Sequence, residues 1–195
     1  MDDILKQIPE KQLDHKDTTS RLWKQNLYDF FVDKKINNCL EIGTNSGWTS
    51  LWCSHFFNHI YTIENLRQRH NYAKGICSSR DNITFIMGDA YDDSTYKSIP
   101  KDMDVIIIDC IHTYNAVMAD INRALTFYNN KKIYLVFDDH GHPELLGVHS
   151  AIQEAIDAGL KVEKHIGEPS GYVVNRPEGT SFELIRQEGI ILSYG

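Results

Sequence analysis

The chain has no apolar run near the roughly 18 to 20 residues that a membrane-spanning helix needs. Its first residues, Met1-Asp2-Asp3-Ile4-Leu5-Lys6, lack a basic stretch followed by an apolar one. A soluble, unprocessed protein with no membrane partner is expected. Basic charge is also scarce: 20 lysines and arginines stand against 27 aspartates and glutamates, a formal net charge of -7. That balance argues against a broad phosphate-binding surface, so nucleic acid is not expected as a partner. The four cysteines, Cys39, Cys53, Cys77 and Cys110, form no C-x-x-C pair, and Cys39 and Cys110 sit at the ends of apolar runs that read as buried. Free thiols in a reducing, cytoplasmic compartment fit this usage. Repeats, low-complexity tracts and interdomain linkers are missing too, and 195 residues suit one domain with a full core.

What the chain does have is the run Asn38-Cys39-Leu40-Glu41-Ile42-Gly43-Thr44-Asn45-Ser46-Gly47, an apolar strand that breaks into a loop bracketed by two glycines. Glycine permits positive φ and lets a ligand lie against the backbone. The apolar segment Trp48 to Phe57 can then open a helix whose first amides face that ligand. The loop reads as a nucleoside-cofactor loop, with Trp48 the tryptophan best placed to touch the ligand. A dinucleotide fold wants G-x-G-x-x-G around a pyrophosphate; here the pattern is E-x-G-x-x-x-G, with Thr44 following the first glycine. Glu41 would repel a diphosphate and welcome a cation.

Residues 1–34 read as an N-terminal helical arm packing on the core, and 35–195 as the cofactor-binding domain. Asp17, Thr18, Thr19 and Ser20 offer capping oxygens, and Leu22, Trp23, Leu27, Phe30 and Phe31 recur at helical spacing behind them. The chain then alternates, with strands near 38–43, 59–64, 82–87, 103–109, 132–138 and 161–166. Helices are expected over 47–57, 66–79, 92–98, 114–129 and 144–158. Pro169, Gly171, Pro177 and Gly179 punctuate a loop before closing strands at 182–186 and 189–194. This is the pattern of an α/β protein: a Rossmann-like three-layer α/β/α sandwich with a mostly parallel sheet of about seven strands and an antiparallel edge strand. The apolar residues Trp23, Phe30 and Phe31 also make a homodimer an expected partner state.

Five acids, Glu41, Glu64, Asp89, Asp109 and Asp138, fall at the carboxyl ends of successive expected strands. In an open α/β sheet the ligand crevice lies outside those ends, so all five face one cleft. A single acid there is more often a helix cap; five in register weaken that reading. Asp109 and the pair Asp138-Asp139 end neighbouring strands about 4.8 Å apart, so their oxygens can converge on a hard cation such as Mg2+, with Mn2+ or Ca2+ as substitutes. The alternative is that Asp138 and Asp139 cap the following helix. His140-Gly141-His142 would suggest zinc, but the oxygen donors favour the harder ion.

Glu41 to Gly47, Tyr61-Thr62-Ile63-Glu64, Gly88-Asp89-Ala90 and Asp104 to Asp109 together resemble the successive motifs of class I S-adenosylmethionine-dependent methyltransferases. The resemblance covers roughly residues 35–160. It implies that the loop of Gly43, Thr44, Asn45 and Gly47 holds the methionine portion, that Glu64 with Asn65 takes the ribose hydroxyls, and that Asp89 and Ala90 approach the adenine. Ile108-Asp109-Cys110-Ile111-His112-Thr113-Tyr114 and Phe137-Asp138-Asp139 are similar to metal-dependent O-methyltransferases, in particular those acting on sugar hydroxyls of macrolide and aminocoumarin antibiotics. That group commonly reads Asp-Gly-Asp-His, with the second acid as general base, where this chain has Ile111. His112 or His140 would replace it, or the metal alone would suffice. The expectation is methyl transfer to a hydroxyl of a small molecule bearing a diol, a sugar or a catechol. The rival readings are a non-catalytic nucleoside-binding module and an NAD-dependent oxidoreductase.

Overall fold

The computed structural model of the chain describes residues 19–175 and 179–195. The part of the N-terminal arm before Thr19 lies outside the described residues, as do its capping candidates Asp17 and Thr18. Among the others Ser20 is the cap of helix α1 (Arg21–Phe31), its hydroxyl accepting the Trp23 amide at 3.0 Å. The buried stripe of α1 is Trp23, Lys24, Leu27 and Phe31, whereas Leu22, which fitted the same spacing, is exposed. Lys24 is tolerated there because its ammonium donates to the carbonyl and hydroxyl oxygens of Thr19.

The chain continues through β1 (Asn38–Ile42), α2 (Trp48–Cys53), β2 (His59–Glu64), α3 (Arg67–Ile76), β3 (Ile83–Met87) and a single 3-10 turn at Asp93–Tyr96. Then come β4 (Val105–Ile108), α4 (Tyr114–Leu125), β5 (Ile133–Phe137), α5 (Leu146–Asp157), β6 (Lys161–Ile166), β7 (Val173–Asn175), β8 (Ser181–Glu183) and β9 (Gly189–Tyr194). Seven strands form one sheet in the order β3-β2-β1-β4-β5-β9-β6. β1 to β5 pair in parallel; β9 runs antiparallel, slotted between β5 and the outermost β6. Strand order reverses between β1 and β4, which opens a crevice at their carboxyl ends.

Both faces of the sheet are covered, so its central strands alternate between two cores. Leu40, Ile42, Ile106, Ile108, Leu135 and Phe137 pack against α4 and α5 through Val117, Ile121, Val148 and Ile152. Cys39, Val105, Ile107 and Val136 face Trp23, Leu27, Phe31, Leu51 and Trp52 from α1 and α2. Period-two alternation places those sets on opposite faces, and burial on both sides explains the unbroken Val/Ile runs. Trp23 and Phe31 are wholly enclosed within the chain, and Phe30 sits edge-on to Phe31 and Tyr134. Of the three aromatic residues that suggested a homodimer, Trp23 and Phe31 belong to the protein's own core and Phe30 is half-buried beside them.

The expected loop after β6 instead forms a small separate hairpin of β7 and β8, whose three-residue strands are too short to show periodicity. None of the helices among the described residues is long and apolar enough to cross a membrane.

One buried acid stands apart from the crevice wall. Asp120 on α4 is 1 % exposed, and burial pushes its carboxyl up to about 7, opposed by a hydrogen bond from the Tyr91 hydroxyl at 3.4 Å. Between its unfolded value near 4 and that raised value, the folded state holds a proton that the unfolded chain has lost. Stability from this group is thus present at low pH and is lost as pH rises toward 7. Asp120→Asn keeps an acceptor for Tyr91. It should raise unfolding free energy at pH 8 by on the order of 2 kcal/mol and give no gain near pH 4, as read by urea denaturation at both values.

Candidate functional site

The loop after β1 owes its shape to three residues with positive φ: Gly43 at 103°, Asn45 at 46° and Gly47 at 82°. The amides of Gly43 and Thr44 donate to the Ile63 carbonyl at 3.2 and 3.0 Å, tying the loop to the end of β2. Gly43 also passes so close to the end of β4 that a Cβ would lie 1.8 Å from the Asp109 carbonyl oxygen. Only glycine fits there.

Glu64 is held at the crevice by two backbone amides, Asn45 N to Oε2 and Leu66 N to Oε1, both at 2.9 Å. Each oxygen keeps further acceptor capacity, and the carboxylate lines the cavity, which suits a vicinal pair of ribose hydroxyls. Asp89 Oδ1 accepts the Tyr91 amide at 2.9 Å, and Ala90 lies beside it on the same wall.

Glu41 departs from its expected place. On β1 it shares the α1/α2 side with Cys39, and its carboxylate accepts from the hydroxyls of Ser50 and Thr62, the latter at 2.6 Å. Thr62 Oγ1 lies 2.5 Å from Thr44 Oγ1, so the network braces the glycine loop from beneath. Burial raises the Glu41 carboxyl to about 7, with the two hydroxyls opposing. Thr44, Gly47 and Trp48 border only a cleft of about 10 Å³ behind the loop, and the Trp48 ring belongs to the core.

At the other side of the crevice, Asp109, His112 and Asp139 bring their donor atoms within 4.8 Å of one another. His112 Nε2 lies 3.4 Å from Asp109 Oδ1 and 3.1 Å from Asp139 Oδ2. Its proton affinity is raised by the Asp109 hydrogen bond against the opposing effect of burial, with the Asp139 charge adding to the rise. Asp139 holds φ at 56°, a left-handed conformation that Asp tolerates better than most residues and that is common at functional turns. Burial raises the Asp139 carboxyl, as does the neighbouring Asp109 charge.

Asp138 falls outside this group. Its Oδ1 is buried with no hydrogen-bond partner, and its proton affinity is raised by burial and then by Asp139, Asp109 and Glu188. Alternation along β5 sends it toward α1, where its charge is felt by the buried Lys24. His140 also turns away: Nδ1 meets the Gln187 carbonyl at 3.3 Å and Nε2 meets His149 at 3.4 Å. Burial lowers its proton affinity to about 4, leaving it neutral.

These groups share one cavity of about 800 Å³, within the range of small-molecule sites. Gly43, Asn45, Glu64, Asn65, Asp89, Ala90, Asp109, His112, Asp138 and Asp139 line it; Glu41, Thr44, Gly47, Trp48 and His140 do not. The sequence reading missed the far wall, built by Tyr172, Val174, Phe182 and Leu184 around the β7–β8 hairpin, with the His142 ring tilted against Phe182 at 4.1 Å between ring centres. It also missed Glu188, which accepts from Ser20 N and Glu168 N at 2.8 Å each and from the Ser20 hydroxyl. A signal for Glu188 did exist. An antiparallel β9 begins at the rim where the parallel strands end, so the residue before Gly189 belongs with the strand-end acids.

A family model described as a methyltransferase domain matches residues 40–140, just over half the chain. No curated protein matches it by sequence. Among solved structures, an O-methyltransferase from Bacillus cereus in complex with SAH is 18% identical, with 98% of this chain and 88% of that one covered and a TM-score of 0.66. TomG from Streptomyces achromogenes, an O-methyltransferase involved in tomaymycin synthesis and solved with SAM, is 17% identical over 87% of this chain and 78% of its own, at a TM-score of 0.60. Fibrillarin from Aeropyrum pernix, with natively bound S-adenosylmethionine, is 17% identical over 82% and 66%, at 0.55. At these identities the structures establish a shared fold.

The close approach at Gly43 gives a direct test of how the loop is held. Gly43→Ala combines an unfavourable φ with backbone overlap at Asp109, and should cost on the order of 3 kcal/mol of stability. Chemical denaturation of the variant against the parent protein reads that difference.

Proposed function

The chain belongs to the methyltransferase-domain family, and on that premise we propose that it transfers a methyl group from S-adenosylmethionine to a hydroxyl of a small diol, with a divalent cation assisting. The observation that carries this reading is the single cavity joining the Gly43 loop, Glu64 and Asp89 to Asp109, His112 and Asp139. Asp139, whose carboxyl is raised by burial and then by the Asp109 charge beside it, is a group that a bound cation would relieve. Asp109, His112 and Asp139 would hold the ion, a set of two carboxylates and one imidazole that suits Mn2+ better than the oxygen-seeking Mg2+. When bound, S-adenosylmethionine supplies a methyl on a cationic sulfur, and the ion lowers the pKa of a hydroxyl chelated to it.

The chain's own residues bind and orient. Asn45 and Leu66 amides fix Glu64 so that it can accept two ribose hydroxyls, and Asp89, on the same cavity wall, would approach the adenine. Ile111, Phe182 and Val174 present apolar surface to the cavity. His112, with Nε2 between two carboxylates, reads as a third donor to the ion in place of the free base expected of it. His142 is not set up as a base either: Nδ1 accepts the Glu144 amide at 3.2 Å, so neutral His142 carries its hydrogen on Nε2. With Ile111 in place of an acid, the hydroxyl proton would pass to solvent water and not to a side chain at that position.

Ile111 also supports a second reading, a nucleoside-binding module that catalyses nothing. Calorimetry and turnover separate the two. S-adenosylhomocysteine should bind the parent protein and Asp139→Ala alike, while Glu64→Ala should weaken it about tenfold or more. With catechol and Mn2+, release of S-adenosylhomocysteine from S-adenosylmethionine should be abolished by EDTA and by Asp139→Ala. Equal turnover under both treatments would remove the ion from the account, and binding without turnover across a panel of diols would favour the module.

A further inference from the structure

On its acceptor side the cavity carries an apolar surface that continues outward to its mouth. Inside, Leu184 is buried and Leu145 and Val174 are half-buried. Further out, Ile111 and Val173 line the same cavity while 46% and 48% exposed, and Leu146, which follows Leu145, is 55% exposed. Single exposed apolar residues are ordinary on a protein surface, but a set that borders a ligand cavity marks a binding surface.

Backbone contacts bring these side chains to one mouth. Ile111 lies on the loop between β4 and α4, and α5 starts against the end of that loop, where a Cβ on Gly147 would come within 2.6 Å of the Tyr114 amide nitrogen. The hairpin is fastened to the connection that leads into α5: the Ile185 amide donates to the Gly141 carbonyl at 3.0 Å, and the Leu184 amide donates to the Tyr172 carbonyl at 2.9 Å. The side chains of Ile111, Leu145, Leu146, Val173, Val174 and Leu184 offer no hydrogen-bond donor or acceptor, so a hydroxyl-rich tail would gain nothing from them. An alkyl chain would gain from each methylene taken out of water. A second copy of the chain or a membrane would need only the outer residues; continuity with the interior ones favours the tail of a ligand that already enters the cavity.

We propose that the acceptor is an amphipathic diol, whose vicinal hydroxyls reach the ion while an alkyl or acyl chain lies across Ile111, Leu146 and Val173 at the mouth. This rests on the proposed function, which puts the diol at Asp109 and Asp139. The chain adds affinity by burial alone, so its contribution follows chain length.

The test is calorimetric, on the full chain saturated with S-adenosylhomocysteine and Mn2+. The probes are propyl gallate and octyl gallate, which share a head of adjacent hydroxyls and differ by five methylenes, each worth about fourfold in affinity when fully buried. On a half-exposed mouth octyl gallate, kept below its micellar concentration, should bind about tenfold more tightly than propyl gallate with one site per chain. Leu146→Asp, which puts an acid in the first turn of α5 where the helix dipole favours it, should narrow that gap, and so should Val173→Thr, which keeps a β-branched strand residue. S-adenosylhomocysteine binding by each variant reports that it has folded. Equal affinities for the two esters, failure of both to bind, or a gap unmoved by both substitutions would overturn the inference while leaving the proposed function standing. So would pelleting of the chain with phosphatidylcholine vesicles in place of a chain-length effect, which would assign the mouth to a membrane surface. If S-adenosylhomocysteine itself failed to bind the parent protein, the proposed function would fall and this inference with it.

Discussion

Burial, and then the charges of Asp139, Asp109 and Glu188 held beside it at one end of the sheet, raise the proton affinity of Asp138. Left alone, that repulsion would push the rim apart. What keeps it together is backbone: parallel strands β4 and β5 end side by side, and antiparallel β9 starts beside them. Like charges concentrated by a rigid scaffold in a partly desolvated cavity make a standing demand for cations. The buried ammonium of Lys24 answers part of it from below, where burial lowers its proton affinity to about 8 while Glu188 and Asp138 raise it.

The cofactor side is built by a different logic. Its carboxylates are satisfied within the protein, Glu64 by two amides and Glu41 by two hydroxyls, so they are fixed before any ligand arrives. The shape of the glycine loop is likewise set by its neighbours, through the contact of Gly43 with the end of β4 and the amide bonds to Ile63. The two sides meet at Asp109, whose backbone touches the loop and whose side chain belongs to the His112 and Asp139 group. A methyl donor and an acceptor brought to the two sides would therefore be registered against one residue.

Much of this was readable from the residues. Alternating Val/Ile-rich runs and amphipathic segments specify the five parallel strands, and the spacing of acids one βα unit apart locates the crevice. What escaped is physical in origin. Glu41 looks like a ligand contact in one dimension, but strand alternation turns it to the α1/α2 face, where Ser50 and Thr62 take its carboxylate. Asp138 and Asp139 are adjacent in sequence and part company just past the end of β5, where Asp139 leaves extended backbone for a left-handed φ of 56°. The β7–β8 hairpin has strands of three residues, below the length at which a period of two can be recognised. Lys24 lies in the buried stripe of α1 because Thr19, one turn earlier, supplies its hydrogen-bond acceptors, a pairing that hydrophobic spacing does not encode.

The central claim is that one rim of acids serves two different positive charges. A crystal containing S-adenosylhomocysteine and Mn2+, measured for anomalous scattering, tests it most directly. The account predicts one manganese peak bounded by Asp109, His112 and Asp139, with both ribose hydroxyls on Glu64 in the same cavity. A ribose bound away from Glu64, or manganese found only elsewhere on the surface, would contradict it.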